Sequence, residues 1–120
     1  MSDVPETGLP ADSLDRLRAA LRVFSAERDW DRFHAPKNLA SALIVEAGEL
    51  LEHFQWLSEA QSDALPAQAL ADVRMELADV LIYLVRLADR LGVDLVAAAG
   101  EKMAISAQRF PPVGDTETRG

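Results

Sequence analysis

Two short stretches of this 120-residue chain carry one chemistry-bearing pattern: Glu46-Ala47-Gly48-Glu49-Leu50-Leu51 and Glu76-Leu77-Ala78-Asp79-Val80-Leu81. Each sets two carboxylates three residues apart, and on a helix both then share a face. With Glu46 at zero and about 100° per residue, Leu39, Leu43, Leu50, Phe54 and Leu57 occupy an arc of roughly 20° to 80°. With Glu76 at zero, Val73, Val80, Leu84 and Leu87 occupy the same arc. Both acid pairs therefore border an apolar stripe on the same side. Four carboxylates gathered beside two packed stripes repel, and burying them without a partner is costly. The pattern points to a divalent cation among Glu46, Glu49, Glu76 and Asp79, and an all-oxygen donor set favours magnesium or manganese over zinc. A solvated helix face is the plain alternative.

The elements that must position these acids are all helical in period. Asp12 or Ser13 can cap a first helix, with Asp15 in its first turn and Leu14, Leu17, Leu21 and Phe24 as its buried stripe, fading near Asp29 or Trp30. The connector from Asp29 to Asn38 holds Trp30, Phe33 and His34 among charges, a candidate binding wall or simply a cap on the core. Pro36 suits the first turn of a second helix, disfavours helical geometry at Ala35, and opens an expected helix reaching Trp56 or Leu57. His53, seven residues after Glu46, shares the acid face. A polar loop over 58–65 leads to a third helix from Pro66 to Leu91, stopped by Gly92, whose stripe is Asp72, Glu76, Asp79, Tyr83 and Arg86. Asp94 can cap a fourth helix with Val96, Ala99, Met103 and Phe110 as its inner face. Lys102, Ser106 and Arg109 form a polar and basic stripe on it, and Pro111-Pro112 ends it. With no strand-like alternation anywhere, the expected architecture is an all-α four-helix bundle. The division is a flexible arm over 1–11, one domain over 12–110 and a flexible tail over 111–120.

Composition narrows the function. The net charge of −8 argues against a general binder of nucleic-acid polymers, while leaving room for a nucleotide whose phosphates meet a bound cation. No cysteine is present, so disulfide and thiolate chemistry are excluded. No opening apolar run resembles a signal peptide and no stretch is long enough to span a membrane, which makes the cytoplasm the expected compartment.

The paired motifs, with Glu27-Arg28-Asp29-Trp30, Phe33-His34-x-Pro36, Asn38-Leu39, the run from Glu49 to Trp56 and Leu81-Ile82-Tyr83-Leu84, resemble the MazG-like nucleoside triphosphate pyrophosphohydrolases. The likeness is closest to the small single-domain dCTP pyrophosphatase branch and spans roughly Leu21 to Pro111. It implies hydrolysis of a nucleoside triphosphate, dCTP or a modified dCTP, between the α and β phosphates to give a monophosphate and pyrophosphate. By the same resemblance Glu46, Glu49, Glu76 and Asp79 hold magnesium, Trp30 and Trp56 enclose the base with His34 nearby, and Tyr83 and Lys102 approach the sugar and phosphates. The implied assembly is a homotetramer, a dimer of dimers, with each site completed by a neighbouring chain. Two positions depart from the pattern: Leu21 stands where the animal enzymes carry a base-pocket histidine, and Ser106 where asparagine is common. Both remove hydrogen-bonding capacity and bear on the choice of base more than on the reaction.

The implied chemistry agrees with the residues. An acidic site accepts a triphosphate only through metal. Magnesium then polarises the phosphoryl oxygens, and one acid, for which Glu49 is favoured, takes the proton of an attacking water. Lys102 and Arg109 suit the phosphate charge outside the metal. Each has a plain reading too: packing for Trp30, Trp56 and Tyr83, structure for His34 and His53, helix-end basic residues for Lys102 and Arg109, and surface positions for Glu52 and Asp72. Two other classes of function remain: a non-catalytic nucleotide-binding or helical interaction protein, and a di-iron carboxylate bundle. The latter normally uses Glu-x-x-His pairs, whereas here Glu49 and His53 are four apart.

Overall fold

A computed structural model of the protein describes residues 13–115; the arm over 1–11, the cap candidate Asp12 and the tail beyond 115 lie outside the described residues. Five α-helices run in order: α1 (Ser13–Glu27), α2 (Pro36–Glu52), α3 (Glu59–Ser62), α4 (Ala67–Leu91) and α5 (Leu95–Arg109). Short 3-10 turns occupy Asp31–Phe33 and Val113–Asp115, and no strand occurs among the described residues. The all-α expectation with four long helices holds.

Local chemistry explains the boundaries. Ala35 is extended ahead of Pro36, as a residue before proline prefers, and the proline opens α2. Gly92 ends α4 in the left-handed region at φ 69°, and Val93 N–H returns to the Ala88 carbonyl at 2.8 Å. Asp94 caps α5 by accepting from Ala97 N–H at 3.0 Å. The end of α1 repeats the α4 device without glycine. Asp29 takes φ 56°, and Trp30 N–H bonds the Ser25 carbonyl at 2.9 Å, folding the indole back over the helix it has just left.

Two expectations change. The second helix stops at Glu52, and tighter turns carry the chain through Leu57, with Phe54 N–H on the Leu51 carbonyl and Leu57 N–H on the Phe54 carbonyl. The chain must reverse here to meet α4, and helical period alone does not register that need. Within the loop expected over 58–65, Ser58 and Gln61 form a reciprocal capping box that starts the one-turn α3.

α2 and α1 both pack on α4, and the core lies between them, at Leu39 (1% exposed), Val73, Val85 and Ala88. The two stripes meet largely as the period indicates, with Leu43, Leu50, Phe54, Val80 and Leu87 half-buried and Leu57 and Leu84 more open. The fourth long helix departs from expectation. α5 makes no extensive contact with the others, and Val96, Met103 and Phe110 of its apolar face are exposed, Met103 at 72%. Amphipathic spacing marks a face for burial without specifying what covers it.

Candidate metal centre and adjoining pocket

α2 and α4 lie side by side, so their acid pairs converge. Glu46, Glu49 and Glu76 each place a carboxylate oxygen within 4.8 Å of the others. Asp79 joins them through Glu46, whose carboxyl is pushed up to about 7. The side-chain hydrogen bond with Glu76 is the largest cause, followed by partial burial, the charge of Glu76 and then that of Asp79. One oxygen of Glu76 is buried with no hydrogen-bond partner. Among the described residues no lysine or arginine forms an ion pair with any of the four acids. An orphaned carboxylate oxygen beside a carboxyl that holds its proton near neutrality is the electrostatic signature of a missing positive charge, and the donor set fits a hard cation. No histidine belongs to this group. His34 lies in the pocket described next, and His53 lines a separate groove with Leu57, Gln61 and Leu65.

Asp79 also borders a pocket of about 350 Å³ between α1, α4 and the 3-10 turn. Its walls are mainly apolar: Leu21 and Phe24 from α1, Trp30 and His34 from the connector, and Ile82 and Tyr83 from α4. Trp30 meets Phe24 edge-on at 5.5 Å between ring centroids and lies 6.4 Å from the His34 ring. Four residues singled out in the sequence, Trp30, His34, Asp79 and Tyr83, are thus gathered on one cavity whose volume falls within the small-molecule range.

One residue of this wall was given no role by the sequence reading. Arg86 is 4% exposed, and its Nη2 donates to Asp31 Oδ1 at 2.9 Å and lies 3.4 Å from His34 Nδ1. It lies on the stripe of Glu76, Asp79 and Tyr83, so a basic residue on the inner face of that helix was the available signal. Arg90 completes the clasp, donating to the carbonyls of Asp31 at 3.3 Å and His34 at 2.9 Å. Burial first, and then the Arg86 guanidinium, hold the His34 imidazole below its ordinary range, with Asp31 opposing.

The remaining candidates stand apart in the single chain. Trp56 is 86% exposed, beyond the end of α2, and does not line the pocket. Lys102 and Arg109 are exposed on α5, Arg109 lying over the Phe110 ring at 5.2 Å, and neither borders the pocket.

Comparison with known proteins places this arrangement. The model of the MazG-like family matches residues 42–118. dCTP pyrophosphatase 1 of Mus musculus is 47% identical over 104 residues, covering 85% of this chain and 61% of that protein. The Homo sapiens protein of the same name is 44% identical over the same shares. The chain thus spans less than two thirds of the length of these relatives. Among solved structures, a pyrophosphatase from Archaeoglobus fulgidus superposes with a TM-score of 0.77 at 36% identity, covering 82% of this chain and 93% of that one. With a family match over most of its length and a structural relative covered nearly in full, the chain belongs to the MazG-like family.

Proposed function

We propose that the protein is a metal-dependent nucleoside triphosphate pyrophosphohydrolase that converts dCTP, or a 5-modified dCTP, to the monophosphate and pyrophosphate. The observation that carries this reading is the position of Asp79, which belongs both to the acid cluster and to the aromatic pocket. A ligand with a flat base at one end and an anionic chain at the other fits the two sites at once. The names of the relatives, dCTP pyrophosphatase 1, support the choice of base.

Magnesium, or manganese in its place, held by Glu46, Glu49, Glu76 and Asp79, would supply charge neutralisation and Lewis acidity at the phosphates. The chain's own residues do the rest. Trp30 and Tyr83 wall the base and sugar, and the apolar lining keeps bulk water from that end. Glu49, an exposed member of the cluster, accepts a proton from the attacking water. The water oxygen bonds the α-phosphorus, and the α–β bridging bond breaks with its electron pair leaving on pyrophosphate.

Lys102 and Arg109 suit the phosphates of a site in a neighbouring copy. α5, with its open apolar face, and the exposed Ile44, Leu51, Met75 and Leu77 of α2 and α4 suit a dimer of dimers. A cytoplasmic setting accords with the absence, among the described residues, of any helix long and apolar enough to cross a membrane.

A turnover panel of canonical and 5-modified nucleoside triphosphates with magnesium, products separated, tests the reaction. Monophosphate plus pyrophosphate, lost on adding EDTA, is expected. Release of orthophosphate and a diphosphate would place cleavage at the other bond and overturn the proposal.

A further inference from the structure

Arg86 and His34 form a pair whose geometry has a chemical consequence. A guanidinium remains protonated at any pH a protein survives, so Arg86 can only donate. Its Nη2 lies 3.4 Å from His34 Nδ1, and that nitrogen must therefore offer its lone pair. The imidazole proton is then left on Nε2. Nothing among the described residues accepts from Nε2, and the ring lines the apolar pocket.

The pair is held from both sides. Asp31 Oδ1 accepts from the same Nη2 at 2.9 Å and fixes the guanidinium. Arg90 and Asn38 hold the turn that carries the imidazole, Arg90 through the Asp31 and His34 carbonyls and Asn38 by donating to the Phe33 carbonyl at 3.1 Å. The charged groups facing His34 are thus Asp31 from its own turn and Arg86 and Arg90 from α4, with Asp79 and Tyr83 further along the same wall.

We propose that Arg86 is a positioning residue for base recognition: it locks His34 as the Nε2–H tautomer, so that His34 presents a donor, and not an acceptor, to the base in the pocket. The ligand class selected is a base with a bare ring nitrogen at that edge. Cytosine carries such a nitrogen, whereas uracil has a proton on the corresponding ring nitrogen and would set donor against donor. Only the identity of the ligand rests on the pyrophosphohydrolase reading.

The first test needs neither substrate nor variant. The chain has two histidines, so 15N–1H correlation of the labelled full-length protein reads two imidazoles, assigned with His53→Gln. His34 is expected with its proton on Nε2 alone, and Arg86→Met is expected to give a tautomer mixture. A proton on Nδ1 in the wild type, or an unchanged tautomer in Arg86→Met, overturns the proposal. The second test is the ratio of kcat/KM for dCTP over dUTP. Arg86→Met and His34→Phe should each lower it about tenfold, the range of one neutral hydrogen bond, and the double variant no further. Additive losses would reduce Arg86 to a structural role and overturn the proposal. If the wild type turns over no triphosphate, the reaction assignment falls while the tautomer measurement still decides the pairing.

Discussion

Arg22 on α1 grips Asp89 on α4 through two parallel hydrogen bonds, Nε to Oδ2 at 2.7 Å and Nη2 to Oδ1 at 2.6 Å. The carboxylate is mostly buried and the guanidinium largely open to water. The clasp ties α1 to α4 beside the pocket, next to Leu21 on one helix and one turn beyond Arg86 on the other. Asp89→Asn leaves two short donors facing an amide and should destabilise the protein by about 2 kcal/mol near neutral pH, read as a lower urea midpoint.

That loss should depend on pH with a definite sign. The Arg22 hydrogen bond holds the Asp89 carboxyl below its ordinary range, against the opposing effect of burial. The stabilisation is complete above the unfolded value of about 3.9 and is lost as pH falls from there through the lower folded value. The gap between wild type and Asp89→Asn should therefore be constant from pH 5 to 7, on the order of the figure above, and shrink in acid. A gap that widened on acidification would contradict the pairing.

The acid cluster predicts opposite effects on stability and function. Glu46→Gln takes one ionisable group out of the cluster, the carboxyl that its hydrogen bond with Glu76, then burial and the charges of Glu76 and Asp79, push up to about 7. Its metal-free melting temperature should rise by about 2–5 °C, because charge crowded without a partner is destabilising. Magnesium at a hundred times its Kd should raise the wild-type value on the order of 10 °C and the variant much less. Equal shifts in both would remove Glu46 from the metal site.

Glu49→Ala and Asp79→Ala should each abolish turnover while helical circular dichroism persists. Glu49 is exposed and Asp79 open to the pocket, so neither is needed to fill the core. Full activity in either variant would detach these carboxylates from the proposed chemistry.

Trp30→Ala removes the indole that faces Phe24 and His34 across the pocket. Base stacking on an aromatic ring is worth about 1–3 kcal/mol, so nucleotide affinity should fall roughly 5- to 150-fold, seen in KM or in titration of the two-tryptophan fluorescence. Trp56→Ala should match it only if a neighbouring copy brings Trp56 to the site. Equilibrium sedimentation of both variants distinguishes loss of binding from loss of assembly.

Asp29 is the sole non-glycine residue with positive φ among the described residues. An L-residue there carries about 1–2 kcal/mol of strain, which aspartate tolerates better than a β-branched side chain. Asp29→Gly should be neutral or mildly stabilising, and Asp29→Val should lower stability by about 1–2 kcal/mol while loosening Trp30. Indistinguishable melting curves for the two would argue against the left-handed turn.

Features governed by near neighbours in the chain were legible in the sequence. Pro36 opens α2, Gly92 closes α4 and Asp94 caps α5, because each acts through its own backbone or the next turn. The two acid pairs were legible for the same reason, since an i, i+3 spacing beside an apolar stripe is a property of one helix. The Ser58–Gln61 capping box was equally local, an unused signal for α3. What tertiary structure decided lies across long separations. Arg86 meets Asp31 55 residues away and Arg22 meets Asp89 67 residues away, partners that no helical period encodes. The early end of α2 came from a chain reversal, and the open face of α5 from the lack of a covering surface among the described residues. Periodicity states which side of a helix is apolar; only packing determines what that side meets, because burial is a relation between two surfaces.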